Sequence, residues 1–386
     1  MTENPLAIYS FGWVAKLILV AIIFLLTCTN LGEIPMDKAI MFMMVIALIL
    51  DQILLNKPLN SGLILPLIVV MGLIMTSYLF NLPESSLIVF FPVIGLFFVA
   101  LLSQEAYFLE VVYRALLIHI IFGILLVVSS YLVEMNPFVH PMYDKGLPFL
   151  HAAKGLTTTV QTFGTLIISW FLIYYHKKDN NKLGVWDRWA YYIVFLGMVL
   201  TFNRNTVLIY YVIIFFKHRK LFILSIVAIF LFYLYYFEFI NKLIFNFSTL
   251  TSRADLLQAF REAFFNQTNW IGYLIGHGNN VVGDEIAMKT FYKTGYIENG
   301  TSVLLYTYGF IGYAIYLISV LIFSILFWLR KKTFYAAMVF YIFVIAQQFT
   351  HEFYSSTLYV LLATLLLIFN VTPYRVKKDY ILSPAQ

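Results

Sequence analysis

Twelve apolar runs alternate with polar stretches along the chain. They cover residues 13–30, 36–55, 61–80, 86–103, 111–133, 155–175, 189–202, 205–216, 221–240, 300–329, 334–349 and 356–372. A helix needs about 20 apolar residues to cross a hydrocarbon core of ~30 Å, and most of these runs are close to that length. The pattern predicts an all-α fold, a polytopic transmembrane helix bundle of about 12 spans. We expect nine spans in residues 1–240, a large and partly helical outer loop in 241–299, and three spans with a cytoplasmic tail in 300–386.

The composition agrees with a membrane protein. Of the 386 residues, 62% are hydrophobic and 11% are charged, and the mean hydropathy is +0.86. Soluble domains carry about 25% charged residues, so this balance excludes that class. The first ten residues lack a basic region and a small-residue cleavage site, so we expect the first run to be an uncleaved anchor. Cys28 is the only cysteine, which excludes an intrachain disulfide and a cysteine-based metal site.

Lysine and arginine are shared unevenly between the loops. With both termini in the cytoplasm, four cations fall in the outer loops, namely Lys38, Lys145, Lys154 and Arg204. Fifteen fall on the cytoplasmic side, namely Lys57, Arg114, Lys177, Lys178, Lys182, Arg188, Lys217, Arg219, Lys220, Arg330, Lys331, Lys332, Arg375, Lys377 and Lys378. This split follows the positive-inside rule. It explains the net charge of +6 and the pI of 9.0 by orientation, so no nucleic-acid partner is predicted.

The seventh and eighth runs are short and enclose one arginine. Arg204 is the only formal charge between Trp189 and Phe216. Basic clusters flank both ends, so the chain is predicted to go out and back with Arg204 near the outer turn. Legs of about 12 to 15 residues reach only ~18–22 Å, which places Arg204 below the outer surface, in a water-lined pit or a protein interior. An arginine at such depth costs roughly 2.5–3.5 kcal/mol and indicates a functional site for an anion.

The large outer loop contains a helix with two arginines. Ser252 is predicted to cap this helix, with Asp255 in a capping-box position. Arg253 would then lie in the first turn, where the helix dipole disfavours a cation. It is either solvated, paired with Asp255, or held there to face an anion. Arg261, two turns on, is a second candidate contact or a solvated residue.

The same helix is predicted to lie on the membrane domain and to be followed by a glycine turn. Its apolar stripe comprises Leu256, Leu257, Phe260 and Phe264. Farther on, Gly276 and Gly278 flank His277, a pattern that indicates a tight turn whose backbone approaches another surface. His277 is either a structural turn residue or a substrate contact.

Polar residues also stand at the outer ends of the last three spans. Glu298 and Asn299 precede the tenth span, and Glu298 is either a partner of the helix dipole or a general base. The last outer loop contains two glutamines followed by His351 and Glu352, which could bind a sugar or support Glu298. His351 is the second candidate for the base.

Taken in chain order, these features resemble a known family. They are a buried arginine after a short span, a Ser-Arg helix start in a large outer loop, a Gly-x-Gly turn, and a polar pair entering a helix with a Gly-x-x-Gly end at Gly309 to Gly312. The chain from about residue 202 to 352 is similar to the bacterial O-antigen polymerase (Wzy) and O-antigen ligase superfamily. In the ligase branch a His-Asn pair stands where this chain has Glu298 and Asn299, which favours a polymerase.

The resemblance implies a mechanism, a location and partners. Donor and acceptor would be oligosaccharides linked to undecaprenyl diphosphate at the outer face of the bacterial inner membrane, and a chain-length regulator is a possible partner. Arg204 and Arg253 would neutralise the diphosphate through bidentate hydrogen bonds, and Glu298 would take the proton from the attacking hydroxyl. Arg261, His277, Asn299, His351 and Glu352 are the expected substrate contacts. Neither a metal nor a cofactor is expected, because metal and nucleotide motifs are missing from the outer loops.

Three other functions remain open. An O-antigen ligase would transfer the glycan to lipid A-core. A flippase or secondary transporter also has about twelve spans and intramembrane charges, but it would be expected to show two similar halves. A scaffold or sensor would not explain why Arg204, Arg253 and Glu298 are clustered on one face. The location of the charges around the ninth-to-tenth connection favours the polymerase.

Overall fold

The fold is a bundle of helices with one small β-hairpin. The structure, a computed structural model, describes residues 13–30, 36–54, 61–82, 86–133, 137–142, 147–237, 247–266, 268–279, 281–282, 297, 299–350 and 352–371; the side chains of residues 13, 61–66, 147–148 and 247–253 are outside this description. Glu298 and His351 therefore lie outside the described residues.

The helices of the first half are α1 (Trp13–Thr27), α2 (Met36–Leu54), α3 (Ser61–Phe80), α4 (Phe91–Leu102, after a 3-10 turn at Leu87–Phe90), α5 (Phe108–Ser129), α6 (Val160–Asp179), α7 (Val185–Leu200), α8 (Arg204–Lys217) and α9 (Arg219–Tyr235). Next come α10 (Phe247–Arg261, extended by a π-turn at Glu262–Asn266) and α11 (Trp270–Ile275). The last three are α12 (Gly300–Leu329), α13 (Thr333–Phe340, extended by Tyr341–Ile345 and Ala346–Gln348) and α14 (Ser356–Val371). Each predicted apolar run contains a helix, which confirms the helical fold.

The hairpin is a two-stranded sheet, which the sequence did not predict. Strand β1 (Val139–Met142) pairs antiparallel with β2 (Leu147–Ala153), within the predicted loop between the fifth and sixth runs. His151 of β2 lies 2.6 Å from the Ser130 hydroxyl through its Nδ1 atom, and its ring stacks on Tyr131 at 4.9 Å. The hairpin is thereby tied to the end of α5.

Helix α6 is the centre of the bundle. Trp170, Phe171 and Tyr175 on it are fully buried, because α5, α7, α8 and α14 pack around it. A helix that is apolar on all sides is stable only when neighbours cover every face. The position of α6 therefore follows from its sequence.

The outside of the bundle is also apolar. Helix α9 has no buried residue, and Leu224, Phe230 and Leu234 on it are more than half exposed. By length and composition, Phe108–Ser129 and Gly300–Leu329 are long and apolar enough to cross a membrane. Exposed apolar surface of this extent is typical of a surface that meets lipid or another protein.

One end of the bundle gathers ion pairs, and we call it the cationic end. Lys177 lies 3.2 Å from Glu110 and 3.4 Å from Asp187, and Lys217 lies 2.6 Å from Asp179. These contacts bring together the end of α6, the start of α7 and the end of α8. The chain therefore goes out along α7 and returns along α8 to the same end, as predicted from its charges.

Candidate functional site

The α7–α8 hairpin ends in a tight turn that presents Arg204. In this turn Phe202 has a positive φ of 48°, and the Asn203 backbone N–H donates a hydrogen bond to the Thr201 hydroxyl at 3.2 Å. Asn203 caps α8 by accepting a hydrogen bond from the Asn205 backbone N–H at 2.9 Å. Arg204 is consequently the first residue of α8. Arg204 is exposed, which contradicts the predicted protein interior, whereas the alternative, a water-lined pit, stays a prediction.

The hairpin is short, as the sequence predicted. Helix α7 has 16 residues and α8 has 14, which correspond to about 24 and 21 Å. Both are shorter than α6, whose 20 residues correspond to about 30 Å. The turn at Arg204 therefore stands roughly level with the first turns of α6 rather than beyond them.

A glycine sets the contact between α6 and α8. A Cβ built on Gly164 would lie 1.9 Å from the Thr206 hydroxyl oxygen, so the Thr206 side chain packs directly on the backbone of α6 at this point. Because Asp179 pairs with Lys217 at the other end, α6 and α8 run parallel. The amino-terminal end of α8 is thus held against the second turn of α6.

Two buried polar atoms beside Arg204 have no hydrogen-bond partner among the described residues. They are Asn203 Nδ2, a donor, and Asn205 Oδ1, an acceptor. A buried polar group without a partner costs free energy, and such groups commonly receive a ligand or an ordered water. The arrangement around Arg204 can therefore bind a ligand that both accepts and donates hydrogen bonds.

The buried carboxyl of Glu352 contacts α6 at Thr165, the residue after Gly164. Glu352 is 5% exposed and precedes α14. The Thr165 hydroxyl donates to its Oε1 at 2.9 Å, and the Thr357 hydroxyl donates to its Oε2 at 3.4 Å. Burial raises the pKa of Glu352 to about 7, although both hydroxyl hydrogen bonds oppose the shift. Such a carboxyl can take up or release a proton near neutral pH.

The start of α12 contacts the segment that precedes Glu352. Asn299 caps α12 by accepting from the Ser302 backbone N–H at 2.9 Å, and its Nδ2 donates to the Gln348 carbonyl at 2.7 Å. Gln348 in turn donates to the Thr301 hydroxyl. Gln347 packs against Gly300, and its buried Oε1 has no hydrogen-bond partner among the described residues. The two predicted polar clusters, at the tenth span and in the last outer loop, are therefore in contact.

These groups together define the polar end of the bundle, which comprises Thr165, Asn203 to Thr206, Asn299 to Thr301, Gln347, Gln348 and Glu352. On α6, Thr165 precedes Lys177 by twelve residues, or about 18 Å. The polar end and the cationic end are therefore opposite ends of the same helix. Of the predicted site residues, Arg204, Asn299 and Glu352 belong to the polar end.

The Gly-His-Gly turn docks on α12, as predicted for a turn whose backbone approaches another surface. The backbone N–H of His277 donates to the Tyr306 carbonyl at 2.7 Å, and that of Gly278 donates to the Thr307 carbonyl at 3.1 Å. Those carbonyls are available because Gly309, with a φ of 65°, interrupts α12. The backbone N–H groups of the turn therefore take the place of the helical N–H groups that would otherwise bond to these two carbonyls.

The His277 ring contacts Thr268 and Tyr306. Its Nε2 lies 2.8 Å from the Thr268 hydroxyl oxygen, and the ring stacks on Tyr306 at 4.5 Å. These contacts support the interpretation of His277 as a structural turn residue. A substrate contact by His277 stays a prediction.

The predicted start of the outer-loop helix is wrong. Helix α10 begins at Phe247, so Ser252 and Asp255 lie inside it and form no capping box. The reason is that serine inside a helix costs well under about 1 kcal/mol relative to alanine, so one serine does not end a helix. Arg253 is the seventh residue, outside the first turn, and the argument from an unfavourable dipole does not hold. Its side chain lies outside the described residues.

The apolar stripe of α10 is confirmed in a narrower form. Leu256, Phe260 and Phe264 are buried, whereas Leu257 is 38% exposed. The Phe264 ring lies 5.8 Å from the Phe310 ring of α12, so the helix rests on the bundle. Arg261 on the same helix is exposed. The structure does not bring it to the groups that define the polar end.

Sequence reasoning missed Thr165, Gly164 and Thr206. Threonine and glycine are ordinary residues within an apolar run, and only the packing of α6 shows their role. The sequence signal that could have indicated them is the occurrence of polar residues within the apolar sixth and eighth runs. Among the described residues no group of three His, Cys, Asp or Glu could hold a metal ion.

Comparisons with known proteins add no assignment. No family model matches the chain, and it matches neither a curated protein nor a solved structure.

Proposed function

We propose that this chain is a membrane glycosyltransferase that polymerises polysaccharide repeat units. It joins oligosaccharides carried on undecaprenyl diphosphate at the outer face of the bacterial inner membrane, with both termini in the cytoplasm. The observation that carries the proposal is the position of Arg204 at the amino-terminal end of α8, beside a polar cluster that includes a buried carboxyl.

The surface and the charges support a membrane location. The exposed side chains of α9 are apolar, and α5 and α12 are long enough to cross a bilayer. Lysines pair with carboxylates at one end of α6, whereas the groups that define the polar end at the other include a single cation, Arg204. This polarity agrees with a cytoplasmic cationic end and an outer polar end.

The amino-terminal end of α8 suits an anionic donor. The first backbone N–H groups of a helix point at a ligand placed there, and the helix dipole favours negative charge. Arg204 adds a guanidinium, whose planar donors match phosphate oxygens in pairs. The unpartnered Asn203 Nδ2 is one more donor at the same place. Together these groups would bind the diphosphate of the donor.

The chemistry is one displacement. The acceptor hydroxyl oxygen forms a bond to the anomeric carbon, the bond from that carbon to the diphosphate oxygen breaks, and the configuration inverts. The departing diphosphate carries the electron pair, which Arg204 stabilises. The hydroxyl proton passes to a carboxylate. Glu298 is the candidate from the sequence, and Glu352 is a second carboxyl that the fold adds.

Surface polysaccharide from a deletion strain tests this function. Loss of the gene should leave single repeat units on lipid A, and the wild-type gene should restore the ladder. Arg204→Lys should fail to restore it, because lysine keeps the charge but loses the paired donors. Arg219→Lys is the matched control, since Arg219 is also the exposed first residue of a helix but lies at the cationic end.

The other functions give different results. A strain with no polysaccharide on lipid A would indicate a ligase. An unchanged ladder in the deletion strain would contradict both enzymes. Restoration by Arg204→Lys at normal protein level would show that paired hydrogen bonds to the diphosphate are not the role of this residue.

A further inference from the structure

Both carboxylate oxygens of Glu352 accept hydrogen bonds from hydroxyl groups. Its Oε2 accepts from Thr357, whose hydroxyl oxygen lies 2.7 Å from that of Ser355. Its Oε1 accepts from Thr165 at 2.9 Å. The carboxyl is buried, so these hydroxyls are its hydrogen-bond partners among the described residues. A buried carboxyl held in this way has a fixed orientation toward α6.

Thr165 connects this carboxyl to the proposed donor site. It follows Gly164 directly, so their α-carbons are about 3.8 Å apart. Gly164 is the residue that touches Thr206 at the start of α8. Successive residues of a helix point about 100° apart, so Thr165 faces Glu352 while Gly164 faces α8. Adjacent residues of α6 therefore contact the carboxyl of Glu352 and the helix that begins with Arg204.

The Thr165 hydroxyl is oriented to pass a proton inward. A hydroxyl has one proton and two lone pairs. Of the two acceptors of the Thr165 hydroxyl, Glu352 Oε1 is the nearer, at 2.9 Å against 3.3 Å to the Gln161 carbonyl. The lone pairs of the Thr165 hydroxyl remain able to accept a hydrogen bond from another hydroxyl. Thr165 itself is only half-buried.

We propose that Glu352, acting through the Thr165 hydroxyl, accepts the proton of the attacking sugar hydroxyl. The inference rests on the proposed function and names the proton path of that reaction. As the new glycosidic bond forms, the acceptor proton moves to Thr165 Oγ1, and the Thr165 proton moves to the Glu352 carboxylate. The diphosphate leaves with the electron pair of the broken bond. Glu352 later returns the proton to solvent through the same hydroxyl.

The surroundings of Glu352 suit a group that changes charge during turnover. Its pKa of about 7 arises from burial, opposed by the hydroxyls of Thr165 and Thr357, and no charged side chain of the described residues adds to the shift. The titratable groups on the adjoining segments are the phenols of Tyr354, whose pKa burial raises, and of Tyr359 on α14. His351, beside it in the chain, lies outside the described residues. A base with a pKa near the working pH is the most effective one.

Rates of purified enzyme at several pH values test the path. The substrate is the lipid-linked repeat unit extracted from the deletion strain. Wild-type kcat should rise as pH passes through about 7, because the carboxylate is the active form. Glu352→Gln should lower kcat by about 100-fold or more with KM little changed, and its residual rate should lose the rise with pH.

Thr165 variants separate a proton path from a structural role. Thr165→Val should lower kcat similarly, and it should move the rise to higher pH because the lost hydrogen bond had lowered the pKa of Glu352. Thr165→Ser keeps the hydroxyl and should restore both. Ser169→Ala is the matched control, because Ser169 is a buried hydroxyl one turn along α6 that donates to the Thr165 carbonyl and is outside the path.

Failure of the proton path and failure of the proposed function give different results. If Glu352→Gln keeps wild-type kcat and its rise with pH, the inference is overturned while the polymerase function stands. If Glu298→Gln alone removes the rise, Glu298 is the proton acceptor and the inference is again overturned. If folded wild-type enzyme forms no glycosidic bond at any pH, the proposed function itself fails.

Discussion

The Thr206 side chain of α8 packs directly on the Gly164 backbone of α6: a Cβ on Gly164 would lie 1.9 Å from the Thr206 hydroxyl oxygen. This contact holds the start of α8, and with it Arg204, against the helix that carries Thr165. The relative position of Arg204 and Thr165 therefore depends on Gly164, a residue without a side chain.

Gly164→Ala should displace the start of α8. Adding a methyl group to a packed contact costs about 1–3 kcal/mol, so we expect a lower melting temperature in detergent and loss of polymerisation. Gly72→Ala is the control, because a Cβ there meets nothing within 4 Å. It should leave activity unchanged and raise stability slightly, as alanine favours helix over glycine by roughly 0.5–1 kcal/mol. Equal activity of the two variants would contradict the role of the Gly164 contact.

Gly309→Ala should release the Gly-His-Gly turn from α12. Gly309 has a φ of 65°, and a Cβ there would lie 2.4 Å from the Leu274 carbonyl oxygen and 2.6 Å from the Gly276 nitrogen. The substitution is therefore strained both by its backbone conformation and by contact with backbone atoms that cannot rotate away. We expect faster amide hydrogen exchange at His277 and Gly278. Unchanged exchange at both residues would contradict the docking of the turn through these hydrogen bonds.

Stability should depend on pH through Glu352. Its pKa is raised from 4.5 to about 7 on folding, so its contribution is complete below pH 4.5 and is lost as pH rises through 7. The full difference is about 3 kcal/mol, from about 1.4 kcal/mol per pKa unit. The melting temperature of the wild type should fall between pH 5 and 8 more than that of Glu352→Gln. Parallel curves for the two proteins would contradict the raised pKa, because other titrating groups are common to both.

Topology can be read from labelling of single cysteines. Cys28 is buried and is replaced by serine to give a background without thiols. Asn279→Cys, beside the docked turn, should react with an impermeant thiol reagent in intact spheroplasts if the polar end is outside. Lys331→Cys, at the end of α12, should react only after the membrane is opened. Labelling of Lys331→Cys but not Asn279→Cys in intact spheroplasts would reverse the orientation.

The helices were predictable, and most of their contacts were not. Apolar runs of helix length identify α1 to α9 and α12 to α14 because a helix satisfies its own backbone hydrogen bonds along the chain. The pairing of Thr165 with Glu352 joins residues 187 positions apart, and it exists only because α14 packs along α6. Likewise, the glycines around His277 predicted a close approach, but they did not identify the broken turn of α12 as its target. Local capping signals were the least informative, as Ser252 illustrates.

The formation of glycosidic bonds by the purified protein tests the central claim most directly. The chain is reconstituted in lipid vesicles with lipid-linked repeat units extracted from the deletion strain, and products are separated by length. The account predicts a ladder of lipid-linked products with one undecaprenyl diphosphate released for each bond, formed by the wild type and by Arg219→Lys but not by Arg204→Lys. Movement of the lipid-linked units across the membrane with no new bond, or an equal ladder from Arg204→Lys, would contradict it.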